Sequence, residues 1–197
     1  LWMSSNNGIC RFDPRERVFK NYNERDGLQS NEFNGNSFFI SPSGEMFFGG
    51  TEGFNAFYPS EIRDNPYIPP VVITSFTKLN EKVRFDEPVS DVKEIRLTHS
   101  DYVFSFEFAA LEFSAPEKNQ YAYKMEGLDE DWVYSDYEKR FANYTTLPPG
   151  KYTFRVKASN NDGVWNEQGA SVDIIITPPF WKTWWFVTAL AILVLGL

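Results

Sequence analysis

Residues 147–166 read LPPGKYTFRVKASNNDGVWN, and the middle of this stretch decides the fold. From Lys151 to Ala158 the residue types alternate. Tyr152, Phe154, Val156 and Ala158 fall on one side, and Lys151, Thr153, Arg155 and Lys157 on the other. Period two is the signature of a β-strand with one face packed on a second layer and the other in water. Pro148-Pro149-Gly150 supplies a tight entry and Asn161-Asp162-Gly163 a turn at the far end, since Pro pre-sets a turn and Gly and Asn tolerate left-handed backbone. Residues 103–108 repeat the pattern, with Phe104, Phe106 and Phe108 opposite Ser105 and Glu107.

Working outward, further strand-like runs occupy residues 71–79, 94–99, 103–113, 120–126 and 171–177, without helical periodicity. Together they predict an all-β chain whose residues 71–177 form an immunoglobulin/fibronectin-III-like β-sandwich. Residues 63–70 contain Pro66, Pro69 and Pro70, which remove ladder donors, and predict a short, stiff linker. Before it, a shift of 45 positions sets LWMSSNNGICRFDP (1–14) over MFFGGTEGFNAFYP (46–59), pairing Gly8 with Gly53, Phe12 with Phe57 and Pro14 with Pro59. Such a period suits the four-stranded blade of a β-propeller, so residues 1–62 are expected to be C-terminal blade repeats. A small independent β-domain with an accidental echo is the competing reading.

The last residues, WWFVTALAILVLGL (184–197), carry no charge. At about 1.5 Å per residue they reach roughly 21 Å as a helix, short of the roughly 30 Å of a bilayer core. Trp181, Lys182, Trp184 and Trp185 make an aromatic and cationic belt of the kind found at headgroup level, and Pro178-Pro179 ends the strand before it. Residues 181–197 are expected to begin a transmembrane helix, truncated here. The chain opens on Leu1-Trp2 with no initiator Met and reads as a fragment. A buried terminal helix or strand is the alternative.

Composition narrows the function. Nineteen basic against 27 acidic residues give a net charge of -8, which argues against direct nucleic-acid binding. One cysteine, Cys10, and one histidine, His99, leave no material for a Cys/His metal site, and no nucleophile motif accompanies His99. Asn160-Asn161-Asp162-Gly163 lacks the ligand spacing of a calcium loop and reads as a turn. No cofactor is expected. Residues 127–132, GLDEDW, read as a solvated turn capped by a buried Trp132. The aromatics Trp132 and Trp165 are the candidate ligand-binding residues, because flat rings stack on sugars. The competing role for them is packing.

YAYKMEGLDEDWVY (121–134), FANYTTLPPGKYTFRVKASNNDGVWNE (141–167) and TPPFWKTWW (177–185), in this order, closely resemble the triple-tyrosine (Y_Y_Y) domain of bacterial two-component sensors. The segment at 147–166 is also similar to the F strand and following turn of fibronectin type III domains. The first resemblance implies a periplasmic segment of an inner-membrane hybrid sensor histidine kinase from a Bacteroides-like bacterium. In it, a propeller upstream would detect an oligosaccharide and a cytoplasmic kinase would follow the membrane helix. Signalling through such a receptor implies a homodimer. The segment itself is expected to be non-enzymatic. A carbohydrate-binding accessory module of a membrane-anchored surface protein is the alternative.

Overall fold

The computed structural model describes residues 1–195; Gly196 and Leu197, the last residues of the expected membrane entry, lie outside the described residues. The chain forms two compact units that divide between Asp64 and Asn65.

The first unit holds two three-stranded antiparallel sheets. One contains β1 (Trp2–Ser5), β2 (Gly8–Asp13) and β3 (Val18–Tyr22), the other β4 (Phe33–Ile40), β5 (Met46–Gly50) and β6 (Gly53–Phe57). The 45-residue echo has a structural counterpart. The hairpin that pairs Ser5 with Gly8 corresponds to the one that pairs Gly50 with Gly53, so β1 matches β5 and β2 matches β6. Gly8 sits at φ +89°, and a Cβ there would lie 1.9 Å from the Tyr22 carbonyl oxygen, so only glycine fits. Ile9, Phe33 and Phe48 are the buried centre of this unit.

The second unit is a sandwich. Its strands are β7 (Val71–Lys78), β8 (Glu81–Lys82), β9 (Glu94–Thr98), β10 (Val103–Ala110), β11 (Tyr121–Glu126), β12 (Val133–Ser135), β13 (Phe141–Thr145), β14 (Gly150–Ser159) and β15 (Trp165–Thr177). One sheet has the order β13-β10-β7-β8 and the other β12-β11-β14-β15-β9. The alternating faces meet as expected: Phe106 of β10 stacks on Phe154 of β14 with ring centres 4.2 Å apart and planes 8° apart, both fully buried. Burying each such ring contributes about 1.5 to 3 kcal/mol. The buried Tyr144 donates its hydroxyl to Asp129 at 3.2 Å, and burial followed by that carboxylate pushes its ionisation well above the usual phenol range. Asp129 also accepts from the Met125 N–H at 2.7 Å, which closes the 127–132 turn.

The sequence pattern does not announce β8, β12 or β13, nor the parallel pairing of β9 with β15. After β15 the chain does not enter the helix at once. Residues 180–182 form a 3-10 turn, Thr183 is extended (ψ 145°), and α1 runs from Trp184 to Leu195. Residues 181–183 therefore precede the helix, because the extended backbone at Thr183 ends the turn and the Val187 N–H bonds back to the Thr183 carbonyl. Among the described residues no helix is long and apolar enough to cross a membrane.

Candidate functional site

The proline-rich segment after Asn65 is fastened to the sandwich by side chains from the turn between β14 and β15. Asn160, wholly buried, donates its amide to the carbonyls of Asn65 at 2.7 Å and Tyr67 at 2.8 Å. Its Oδ1 accepts from the N–H groups of Asp162 and Val164, both at 2.9 Å, so one side chain shapes the turn and holds the incoming chain. Gly163, at φ +80°, supplies the left-handed residue of that turn. Asn166 donates to the carbonyl of the buried Pro69 at 2.9 Å. Asn65 donates its N–H to Asp162 at 2.6 Å and its amide to Asn161 at 3.1 Å and Glu112 at 3.4 Å. The Glu112 carboxyl is held below its ordinary pKa, chiefly by hydrogen bonds from Ser114 and then by Asn65. On the other side of the same peptide bond, Asp64 accepts from Lys20 at 2.7 Å and Arg11 at 3.4 Å within the first unit.

The opposite end of the sandwich carries the exit. β15 runs from Trp165 to Thr177 with an irregularity at Gly169 (φ +58°), and its pairing along β14 from Ser159 to Gly150 covers about 30 Å at the usual strand rise. Thr177 donates its hydroxyl to the Leu97 carbonyl at 3.2 Å, Pro179 is buried, and the Trp181 ring meets His99 edge to face at 5.2 Å. Of the expected membrane-interface residues, Lys182 lies in the 3-10 turn, Trp184 is 81% exposed and Trp185 is exposed beside it on α1.

Trp132 and Trp165, the candidate ligand residues, are brought together by Lys157. Its ammonium lies 4.8 Å from the Trp132 ring centre and 5.3 Å from that of Trp165, and donates to Glu167 at 2.8 Å. Lys124 approaches Trp132 at 5.4 Å, and the exposed Tyr134 meets Trp165 edge-on. Trp132 is half-buried rather than buried, since its cap over the turn is shared with two lysine stems. A stack of this kind braces the 127–132 turn against β14 and β15, and the indole surface under Lys157 is already occupied. Among the described residues no group of three or more His, Cys, Asp and Glu side chains could hold a metal ion.

The sequence places Asn65 in the linker and Asn160 in a turn, but nothing in it points to the bonds they make, or to Asn166 and Glu112. The available signal was an asparagine run closing a strand; the partners lie up to 97 residues away and leave no local trace.

Residues 112–177 match the family model of the Y_Y_Y domain. Over 193 residues the chain is 39% identical to Histidine kinase P4 of Formosa agariphila, covering 94% of this chain and 14% of that protein. Among solved structures, the extracellular domain of a protein described as the hybrid two component system BT3049 of B. thetaiotaomicron superposes with a TM-score of 0.73 at 29% identity, over 90% of this chain and 24% of that one. The extracellular domain described for the hybrid system BT4673 of the same bacterium gives 0.53 at 25% identity, over 92% and 24%. The chain is thus homologous to the extracellular domains of hybrid two-component sensors and spans only a small part of each relative.

Proposed function

We propose that this chain is the periplasmic relay of a two-component receptor. It joins an upstream propeller that reads an oligosaccharide to a helix entering the inner membrane and leading to a cytoplasmic histidine kinase. The observation that carries this reading is β15, a single strand whose first turn is bonded to the entering segment through Asn166 and whose last residues lead through a buried proline towards α1. Within the second unit the entering segment is bonded from Asn65 onward and the leaving one is held by Thr177 and the buried Pro179, so the two ends of the sandwich offer little of the slack of a flexible linker. A rigid-body shift imposed at one end is then delivered at the other. In a homodimer, ligand acts by binding two arrangements of the pair with different affinity. The apolar side chains exposed along α1 and the tryptophans at its start support membrane entry.

Replacing Pro178-Pro179 with a glycine-serine insert in the intact receptor tests this role. Ligand binding upstream is expected to persist while kinase output loses its response to ligand; an undiminished response contradicts the relay.

A further inference from the structure

The turn between β7 and β8 breaks a local rule. The registers Thr77 with Lys82 and Lys78 with Glu81 leave Leu79 and Asn80 as a two-residue hairpin loop, and both have positive φ, +51° and +65°. Asn and Gly are the residues that favour this geometry, whereas leucine carries a Cβ and a branched side chain into a left-handed backbone. Leu79 is 41% exposed, so a broad part of it stays open to solvent instead of being enclosed in the core. A strained position that presents an apolar side chain outward points to use at that position.

Its neighbours share the property. The Leu79 N–H bonds the Val103 carbonyl at 2.9 Å, which sets it beside Tyr102, and Tyr102 is 59% exposed. Tyr102 belongs to the loop that begins at His99, on which the half-exposed Trp181 rests. Strand pairing fixes the common direction, because β9 ends at Thr98 opposite Thr177, where the chain leaves for α1. Leu79, Tyr102 and Trp181 therefore project from the same end of the sandwich as the apolar helix. Charges there are mixed: Lys78 pairs with Asp101 at 3.3 Å, Glu81, Lys82 and Lys182 are near, and the same end adds Lys151 and, in the turn after β11, the exposed Glu130 and Asp131. The entry end also exposes apolar residues, Tyr67, Ile68, Leu111 and Phe113, but among the described residues no apolar helix leaves from it.

We propose that the exit end of the sandwich stands on the bilayer surface, with Leu79 and Tyr102 seated at headgroup level beside Trp181. This rests on the membrane-entry reading of α1. Aromatic and aliphatic tips flanked by lysines suit that depth, and the mixed charge fits a zwitterionic headgroup rather than attraction to anionic lipid. The contact fixes the tilt of the sandwich against the membrane plane, so that a displacement delivered along β15 moves the helix instead of rocking the domain.

The test uses the intact receptor in phosphatidylcholine nanodiscs, with its native cysteines including Cys10 replaced and an environment-sensitive fluorophore placed in turn at Leu79→Cys, Tyr102→Cys, Thr183→Cys and Phe113→Cys. Quenching by headgroup nitroxide lipid is expected at positions 79, 102 and 183 and not at 113. Quenching at 183 with 79 and 102 as unquenched as 113 overturns this inference and leaves membrane entry standing. No quenching at 183 overturns both. A Leu79→Asn variant, which relieves the backbone strain, is expected to keep the fold and weaken quenching at position 102; unchanged quenching there contradicts a seating role for Leu79.

Discussion

The side chain of Asn160 donates to the main-chain carbonyl of Asn65 at 2.7 Å, although 95 residues separate them. With the second bond to Tyr67, it saturates two carbonyls on a segment whose prolines allow no ladder of its own. Replacing Asn160 by alanine removes four hydrogen bonds at a fully buried position. The expected loss is about 2 to 4 kcal/mol, since unsatisfied buried polar groups are left behind. Urea unfolding measures it, and proteolysis within residues 65–70 is expected to rise in parallel.

The stack around Lys157 makes a contrast between two substitutions. Lys157→Met keeps much of the stem against Trp132 and Trp165 and loses the charge, whereas Lys157→Ala loses both. The charge contribution is expected to be about 1 to 2 kcal/mol for a largely enclosed cation over aromatic faces. Alanine should be the more destabilising of the two in thermal unfolding. Because the indole surface facing Lys157 is occupied, neutral oligosaccharides are expected to leave the tryptophan fluorescence of this chain unchanged. A saturable change abolished by Trp132→Ala would instead favour a sugar-binding module.

Acid should loosen the entry. Hydrogen bonds from Ser114 and Asn65 lower the Glu112 pKa below its ordinary value of 4.5, so the carboxylate stabilises the fold above that pH. That contribution is lost as pH falls through the lowered, folded value. Urea midpoints measured from pH 6 downward are expected to fall below about pH 4.5, and Glu112→Gln should flatten that part of the decline.

In the core, Phe154 stacks on Phe106 and is fully buried. Phe154→Ala is expected to destabilise the sandwich by about 3 to 5 kcal/mol through lost transfer energy and a cavity. Differential scanning calorimetry of the second unit's transition checks this.

The strands that carry the core were legible because each has a local period: β10 and β14 alternate over eight or more residues. β12 and β13 are three and five residues long and lie at sheet edges; β12, paired with the adjacent β11, is too short to show a period, and β13 pairs with β10, which lies well before it in the sequence. The glycine pairing of Gly8 with Gly53 exposed the repeated hairpin because a tight turn needs that residue type. The tryptophans were visible as chemistry, but the lysine that joins them was visible only as an outward-facing charge. Asn65 and Asn166 resemble surface residues until their partners are in place.

The most direct test of the relay is the ligand-dependent kinase output of the intact receptor carrying Asn160→Ala together with Asn166→Ala, which removes the side-chain bonds to the Asn65, Tyr67 and Pro69 carbonyls. The account predicts that ligand affinity is kept while the output ratio with and without ligand falls by about tenfold or more, as expected for loss of a coupling free energy. A full ligand response in a receptor whose residues 65–70 have become accessible to protease would contradict it.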